Sequence, residues 1–254
     1  MHHAETRRDI SPVTPPMGTL LLLPVGLGDA AWSIWLPQHV RDSACAIEHF
    51  VVENAKSARA ELARLGHPKP LRELAINELP ASPTLADCDQ LLAPALAGHN
   101  IALMSDAGCP AVADPGALLV RRSHELGICV RPLVGPSSLM LALMASGLDG
   151  QRFAFHGYLP ARDPERAKKI VSLDTESARL TQTQLFIETP YRNQALFAAL
   201  LQHSQTQTRL CVATDLTLNS ELVITRKISG WRTVAMPDLD KRPTVFLLLA
   251  TIKS

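Results

Sequence analysis

SDAGCPAVADPG, the stretch from Ser105 to Gly116, follows a short apolar run at residues 100–104 that is typical of a buried strand. Its small, polar and Pro residues cannot continue a strand or a helix. A helical pattern begins where the stretch ends, with Asp114 as the predicted N-cap and Pro115 as the first helical residue. An acid and small residues at the carboxyl end of a strand are the usual components of a ligand site in an open α/β sheet.

The chain on both sides of this stretch alternates short apolar runs with helical patterns. The predicted strands are residues 19–23, 47–53, 74–79, 101–104 and 129–133, and the predicted helices are residues 30–40, 56–65, 85–96 and 116–126. Asn54 is the predicted N-cap of the second helix, and Gly66 follows its end. This alternation favours a mostly parallel sheet with helices on its faces.

The pattern changes beyond residue 147. An apolar helix is predicted at residues 138–146, followed by strands at 153–158, 185–188, 210–214, 221–228 and 244–251. Short loops join some of these strands, which indicates a mixed sheet. We therefore predict an N-terminal α/β domain at residues 17–134 and a C-terminal α/β domain at residues 135–254. Residues 1–16 are polar and contain Pro, which predicts a disordered arm.

The composition excludes some classes of function for this chain. The 254 residues carry a formal net charge of +1, so only a local basic face would favour nucleic acid. The five Cys lack C-x-x-C spacing and the nine His form no paired ligand motif, which predicts reduced thiols, a cytoplasmic location and no metal. No apolar run approaches the ~20 residues that cross a bilayer, so we expect a soluble protein without a membrane partner.

A glycine-rich loop follows the first predicted strand. Residues 26–31, GLGDAA, satisfy the dinucleotide-binding pattern G-x-G-x-x-A. Asp29, however, occupies the helix start, where its carboxylate would repel a diphosphate. Acids at or near strand ends instead suit a cationic ligand such as S-adenosylmethionine, and these acids are Asp29, Glu53, Asp106, Glu188 and Asp215.

Several further motifs follow residues 105–116 in order. They are Gly135-Pro136-Ser137, Ser146-Gly147-Leu148, Gly157-Tyr158-Leu159-Pro160 and Glu188-Thr189-Pro190-Tyr191-Arg192. Together the set resembles the tetrapyrrole-methylase-like superfamily, and most closely its bacterial small-subunit ribosomal RNA 2′-O-ribose methyltransferases. The resemblance implies the class III S-adenosylmethionine methyltransferase fold, in which two α/β domains hold the cofactor in the cleft between them. It also implies a homodimer with ribosomal RNA or the small ribosomal subunit as substrate.

The resemblance further implies the cofactor contacts by position. These are Pro24, Ser105, Asp106, Ala107, Val112, Ser137, Ser138, Thr189, Leu216, Pro243 and Thr244. Glu53 and Glu188 are the candidate catalytic bases, because each is predicted to end a strand facing the cleft. Either could instead be a structural acid that accepts from backbone N–H groups or from Arg192.

Cationic side chains cluster around the Gly157–Pro160 motif. Arg162, Arg166, Lys168 and Lys169 are predicted to bind the substrate, as are Lys56 and Arg192. A solvated helix face is the alternative for the cluster.

The chain also departs from the family pattern. The usual E-D-T-R becomes Glu53-Asn54-Ala55-Lys56, and A-R-E-L-T-K becomes the segment ATDLTL at residues 213–218. These changes alter the acceptor side more than the cofactor side, which favours a divergent paralogue. Two alternatives remain: a methyltransferase acting on a corrin or porphyrin precursor, and a paralogue that binds S-adenosylmethionine without turnover.

Overall fold

The computed structural model describes residues 16–250, which build two five-stranded sheets one after the other along the chain. The strands of the first sheet are β1 (Thr19–Leu23), β2 (His49–Val52), β3 (Ala75–Glu78), β4 (Ile101–Met104) and β5 (Cys129–Pro132). Their spatial order is β3-β2-β4-β1-β5, and every pair is parallel. The predicted parallel sheet is therefore confirmed. The predicted arm lies outside the described residues except for Pro16.

Helices cover both faces of this sheet. They are α1 (Trp32–Trp35), α2 (Gln38–Cys45), α3 (Ala55–Leu65), α4 (Leu85–Leu96) and α5 (Ala117–Glu125), with a 3₁₀ turn at Leu71–Glu73. Alternate residues of β1 enter opposite cores: Leu21 and Leu23 pack in the core that includes Leu62 of α3, and Leu20 packs in the core that includes Leu119 of α5. Apolar side chains on both faces of the strands explain the continuous apolar runs in the sequence.

Two helix ends confirm their sequence signals. The side chain of Asn54 accepts hydrogen bonds from the N–H groups of Lys56 (2.9 Å) and Ser57 (3.1 Å) at the start of α3. Gly66 ends the same helix in the left-handed conformation, with φ 71°.

The helix predicted at residues 30–40 is two helices. The prediction was wrong here because Pro37 interrupts the pattern and becomes the N-cap of α2. A proline disfavours the helical conformation of the residue before it, and Leu36 accordingly adopts an extended backbone.

The helix after the SDAGCPAVADPG stretch begins later than predicted. Asp114 is not its N-cap and Pro115 is not helical, because α5 starts at Ala117 with Gly116 as N-cap. Gly116 has φ 128°, and a Cβ atom there would lie 2.8 Å from the side chain of Leu103. The close approach of the loop to β4 therefore requires glycine and places the helix start beyond Pro115.

The second sheet is mixed, as predicted. Its strands are β6 (Phe153–Tyr158), β7 (Thr183–Ile187), β8 (Arg209–Thr214), β9 (Leu222–Lys227) and β10 (Thr244–Leu249). The order is β6-β7-β10-β8-β9, in which β6 and β7 are parallel and the other pairs are antiparallel. The helices of this half are α6 (Ser138–Ser146), α7 (Glu165–Leu180), α8 (Asn193–His203) and α9 (Ile228–Trp231), with a 3₁₀ turn at Pro190–Arg192. Of these, α7, α8 and α9 add to the elements predicted from the sequence, and Ile228, predicted to end a strand, begins α9.

Two close approaches join the halves of the molecule. A Cβ atom on Gly135 would lie 2.2 Å from Cγ of Pro24, so the connection to α6 rests directly on the loop after β1. A Cβ atom on Gly28 would lie 2.8 Å from the Leu218 side chain, so the same loop also meets the loop between β8 and β9. Within residues 16–250, none of the helices combines the length and apolar character needed to cross a membrane.

Candidate active site

The strand order of the first sheet creates a crevice at its carboxyl edge. β1 and β4 are neighbours, but the chain leaves them in opposite directions, from β1 towards β2 and from β4 towards β5. Open α/β sheets bind ligands at such a switch point. The loops after β1 and β4 are joined there, because Val25 and Gly108 exchange two backbone hydrogen bonds of 2.9 and 3.0 Å.

A cavity of about 250 Å³ lies between this edge and the second sheet. Its walls combine both halves of the chain: Leu27, Ala107, Ser138, Tyr158, Ile187, Glu188, Pro190, Ala213, Leu216, Pro243, Thr244 and Val245. We refer to it as the interdomain cavity. A smaller cavity of about 50 Å³ adjoins it at Ala107 and Ser138 and is also lined by Val112 and Ser137. These cavities bring together seven of the predicted cofactor residues: Ala107, Val112, Ser137, Ser138, Leu216, Pro243 and Thr244.

A second cavity of about 270 Å³ lies on the other side of Leu27 and Ala107. We refer to it as the α3 cavity, because Ser57, Ala58, Ala60, Glu61 and Arg64 of α3 form one wall. The opposite wall is Val25–Gly28 and Ser105–Ala107. The predicted cofactor residues Ser105 and Asp106 therefore line the α3 cavity, not the interdomain cavity.

Two predicted cofactor residues line neither cavity. Pro24 is buried and packs against Gly135. Thr189 lies between the lining residues Glu188 and Pro190, and its backbone N–H donates to Oε1 of Glu188 at 2.6 Å.

Three carboxyl groups interact at the carboxyl edge of the first sheet. Burial, followed by the negative charges of Asp114 and Asp106, raises the pKa of Glu53 to about 7. Burial and the charge of Asp106 raise the pKa of Asp114 to about 6. Oε1 of Glu53 is buried and accepts no hydrogen bond from a described residue, whereas Oδ1 of Asp106 accepts from the Ser57 hydroxyl at 2.5 Å. Glu53 can therefore exchange a proton near neutral pH, but it does not line the α3 cavity or the interdomain cavity.

Sequence reasoning missed the electrostatic role of Asp114. The D-P-G sequence predicts a helix cap at Asp114 and gives no indication of an electrostatic role. Asp114 affects the pKa of Glu53 because the loop after β4 lies near the carboxyl end of β2 in space. A local sequence pattern carries no information about that proximity.

Glu188 has a different environment. Its Oε1 accepts from Nη2 of Arg192 at 2.6 Å and from Nε of the same residue at 3.0 Å. Its side chain is buried, while that of Arg192 is half exposed. This favours the alternative that Glu188 is a structural acid and commits Arg192 to the same ion pair.

The predicted substrate cations differ in their availability. Nη2 of Arg166 is paired with Asp163 at 2.8 Å. Arg162, Lys168 and Lys169 form no ion pair within residues 16–250, and they follow the cavity-lining Tyr158 closely in the chain. Lys56 is exposed in the first turn of α3, next to the cavity-lining Ser57. None of the predicted substrate cations lines the α3 cavity or the interdomain cavity.

The interdomain cavity suits S-adenosylmethionine chemically. Apolar side chains of Leu27, Ile187 and Val245 line it beside the hydroxyl-bearing Ser138 and Thr244. Its lining among residues 16–250 contains Glu188 but neither Lys nor Arg. Because this lining offers no cation to a phosphate, a ligand without phosphate fits it better than a dinucleotide does. Within the same residues, no group of three His, Cys, Asp or Glu side chains is placed to hold a metal ion.

Curated proteins include clear relatives of this chain, although no family model matches it. Ribosomal RNA small subunit methyltransferase I of Xylella fastidiosa (strain Temecula1) is 32% identical over 233 residues, which are 91% of this chain and 81% of the relative. The protein of the same name from Neisseria meningitidis is 36% identical over 141 residues, which are 56% of this chain and 47% of that relative.

Solved structures show the same fold. The methyltransferase CobJ superposes with a TM-score of 0.61 over 92% of this chain and 94% of its own, at 16% sequence identity. At that identity the likeness concerns the architecture alone.

Proposed function

The chain belongs to the ribosomal RNA small subunit methyltransferase I family, and we propose that it transfers a methyl group from S-adenosylmethionine to a ribose 2′-hydroxyl of small-subunit ribosomal RNA. Its fold is that of the tetrapyrrole methylases. Membership rests on a relative matched over most of both chains. The substrate is proposed from the name of that relative.

One structural observation carries the proposal. Ala107, Ser138, Leu216, Pro243 and Thr244 come from four distant segments of the chain, yet all line the interdomain cavity. The family resemblance assigns each of them to the cofactor. Their convergence supports this cavity, with its small extension at Val112 and Ser137, as the cofactor site.

The bound cofactor would supply a methyl group activated by a sulfonium. The protein has to orient the acceptor in line with that group and exclude water, a contribution that can reach ~7–11 kcal/mol. Leu27 and Ala107 line both large cavities, so an acceptor in the α3 cavity would lie next to a cofactor in the interdomain cavity. Asp106 and Ser57 line the acceptor side.

We assign Glu53 as the general base. A ribose hydroxyl must lose its proton during transfer, and a carboxylate with a pKa of about 7 can accept it at neutral pH. Asp106 and Asp114 support this role because their negative charges raise the pKa of Glu53. The ion pair with Arg192 makes Glu188 the weaker candidate and suits it to positioning the loop at the interdomain cavity.

We propose that RNA phosphates contact cations outside the cavities. Lys56 precedes the cavity-lining Ser57 in the chain, and Arg162, Lys168 and Lys169 are without an ion-pair partner among residues 16–250. Such contacts fix the position of a nucleic acid without reading its sequence. Arg166 and Arg192 already have carboxylate partners, so we expect smaller contributions from them.

We also propose a homodimer in the cytoplasm. The exposed face of α6 supports the dimer, because Met144 is 77% exposed and Met140 is 45% exposed on a helix without charged residues. Apolar surface of this kind is typical of an interface. Light scattering during size-exclusion chromatography should give twice the chain mass, and Met144→Lys should reduce it to a monomer. The cytoplasmic location follows from the proposed ribosomal substrate.

The decisive experiment is transfer of radiolabelled methyl groups into an extract from cells that lack this gene and its paralogue. Label in small-subunit RNA, lost in Asp106→Ala, is the expected result. Label only in small molecules would favour a tetrapyrrole precursor as substrate, and cofactor binding without any labelled product would favour a non-catalytic protein. Either outcome would overturn the proposal.

A further inference from the structure

Two loops of the second half of the chain contribute residues to the interdomain cavity. The loop between β8 and β9 contributes Leu216, and the connection from α9 to β10 contributes Pro243. In each loop the residue immediately before the lining residue carries a charge, because Asp215 precedes Leu216 and Arg242 precedes Pro243. Neither charged residue lines the cavity itself.

The two charged side chains form an ion pair that joins the loops. Nε of Arg242 donates to Oδ2 of Asp215 at 2.8 Å, and the same oxygen accepts from the Ser220 hydroxyl at 2.7 Å. Nη1 of Arg242 donates to the carbonyl oxygen of Asp238 at 2.8 Å, and Nη2 donates to that of Ser220 at 2.6 Å. The side chain of Asp215 is only 9% exposed and that of Arg242 is 24% exposed. Each guanidinium nitrogen therefore has an acceptor, and these acceptors belong to both loops.

The ion pair holds backbone that is unfavourable by itself. Asp215, Thr217 and Lys241 adopt the left-handed conformation, with φ angles of 51°, 74° and 57°. Residues other than glycine persist in this conformation only where the surrounding contacts hold them there. The backbone N–H of Asp215 also donates to the carbonyl oxygen of Pro243 at 3.0 Å, so a shift of one loop displaces the other.

We propose that Arg242 and Asp215 are positioning residues for the cofactor, because their ion pair fixes the backbone of Leu216 and Pro243 at the interdomain cavity. The inference rests on the proposed function, since it takes this cavity to be the cofactor site. Neither side chain lines the interdomain cavity or the α3 cavity, so the pair acts through the two loops. Loss of the pair should therefore raise the KM for S-adenosylmethionine, while kcat at saturating cofactor stays close to that of the wild type.

The test is calorimetric titration of the whole protein with S-adenosylhomocysteine. Arg242→Met removes the charge and all the donors, and we expect the Kd to rise roughly 10-fold, as loss of a hydrogen bond between charged groups predicts. Arg242→Lys keeps the charge but lacks the planar set of donors, so its Kd should lie between those of Arg242→Met and the wild type. A variant that is partly misfolded would instead lower the number of binding sites and leave the Kd of the folded fraction unchanged.

Arg122→Met is the matched control. Arg122 is 25% exposed, its Nε donates to Asp89 at 2.6 Å, and it lines neither cavity. The same substitution there removes a comparable ion pair, and the Kd should stay at the wild-type value.

Asp215→Asn provides an independent variant. Asparagine tolerates the left-handed conformation, so this substitution removes the charge and keeps the backbone. If the two residues act as a pair, the double variant Asp215→Asn/Arg242→Met should bind no more weakly than Arg242→Met alone.

Wild-type affinity in Arg242→Met, or losses that add in the double variant, would overturn the inference and leave the proposed function intact. Asp215→Asn carries the same test if Arg242→Met fails to fold. Weakened binding in these variants without RNA methylation by the wild type would refute the proposed acceptor and support the inference. Failure of the wild type to bind S-adenosylhomocysteine would overturn both.

Discussion

The carboxyl groups of Glu53 and Glu188 are chemically alike, but their different surroundings suit them to different roles. Glu188 is paired with Arg192, whereas Glu53 is partly buried near two other acids, and this burial and their charges raise its pKa to about 7. The sequence predicted both residues as catalytic because both follow strands. It could not separate them, since the distinction depends on Asp114 and Asp106 approaching Glu53 in space.

The pH dependence of methyl transfer tests this distinction. A general base is active when deprotonated, so kcat/KM should rise with pH and level off above about 7, the pKa of Glu53. Asp114→Asn removes a negative charge that raises this pKa, and the rise should therefore move to lower pH. Glu53→Gln should lower the plateau by roughly 10²–10⁴-fold. Glu73→Gln, at an exposed acid that lines neither the α3 cavity nor the interdomain cavity, is the control. A pH profile that stays unchanged in Asp114→Asn would show that Asp114 does not raise the pKa of Glu53.

The same two carboxyl groups should make stability depend on pH. Their pKa values are raised in the folded state, from 4.5 to about 7 for Glu53 and from 3.8 to about 6 for Asp114. The stability that these two groups contribute is fully present below their unfolded-state pKa values. It is lost as the pH rises through their folded-state pKa values. We therefore expect the Tm to fall between about pH 4 and pH 7.

The double variant Glu53→Gln/Asp114→Asn should flatten that slope in thermal unfolding followed by circular dichroism. Asp89→Asn is the control, because pairing with Arg122 lowers the pKa of Asp89 and its contribution is lost only at more acidic pH. A slope that persists in the double variant would contradict the assignment.

At the scale of elements, local signals predicted most of the first sheet and its helices. β1, β4, α4 and α6 have the predicted bounds, since each is a distinct apolar or amphipathic run with clear ends. The errors occur where a backbone constraint competes with the pattern. Pro37 divides one predicted helix, and the position of Gly116 against Leu103 delays the start of α5.

The N-cap of α3 provides a test at this scale. Asn54→Ala removes the Oδ1 atom that accepts from the N–H groups of Lys56 and Ser57, and we expect a loss of ~1 kcal/mol in the free energy of unfolding. The first turn also carries Lys56 and Ser57, so methyl transfer should fall more than cofactor binding does. Urea unfolding measures the first effect, with Asn219→Ala, an exposed loop residue, as the control. Equal stability of the two variants would show that the cap is dispensable.

At the scale of the whole molecule, the sequence motifs predicted which loops form the candidate site. They did not predict which cavity each loop lines. Ser105 and Asp106 line only the α3 cavity, while Ala107 lines both the α3 cavity and the interdomain cavity, which meet at this residue and Leu27. That division arises because the loop after β1 pairs with the loop after β4 and also contacts the loop between β8 and β9. Neither contact leaves a periodic signal in the chain.

The two close approaches between the halves make a matched pair of tests, Gly135→Ala and Gly28→Ala. A new Cβ at position 135 would lie 2.2 Å from the ring of Pro24, which cannot rotate away. A new Cβ at position 28 would lie 2.8 Å from the end of the Leu218 side chain, which can adopt another rotamer. Gly135→Ala should therefore cost ~1–3 kcal/mol of stability and weaken S-adenosylmethionine binding, because backbone must shift where the chain crosses between the sheets.

Gly28→Ala should leave both the Tm and cofactor affinity close to those of the wild type. Its effect should appear instead in methyl transfer to the acceptor, since Gly28 lines the α3 cavity and not the interdomain cavity. Thermal unfolding and calorimetry with S-adenosylmethionine measure the two variants side by side. If they lose cofactor affinity equally, the close approach of Gly135 to Pro24 does not set the separation of the sheets, and the interdomain cavity depends on other contacts.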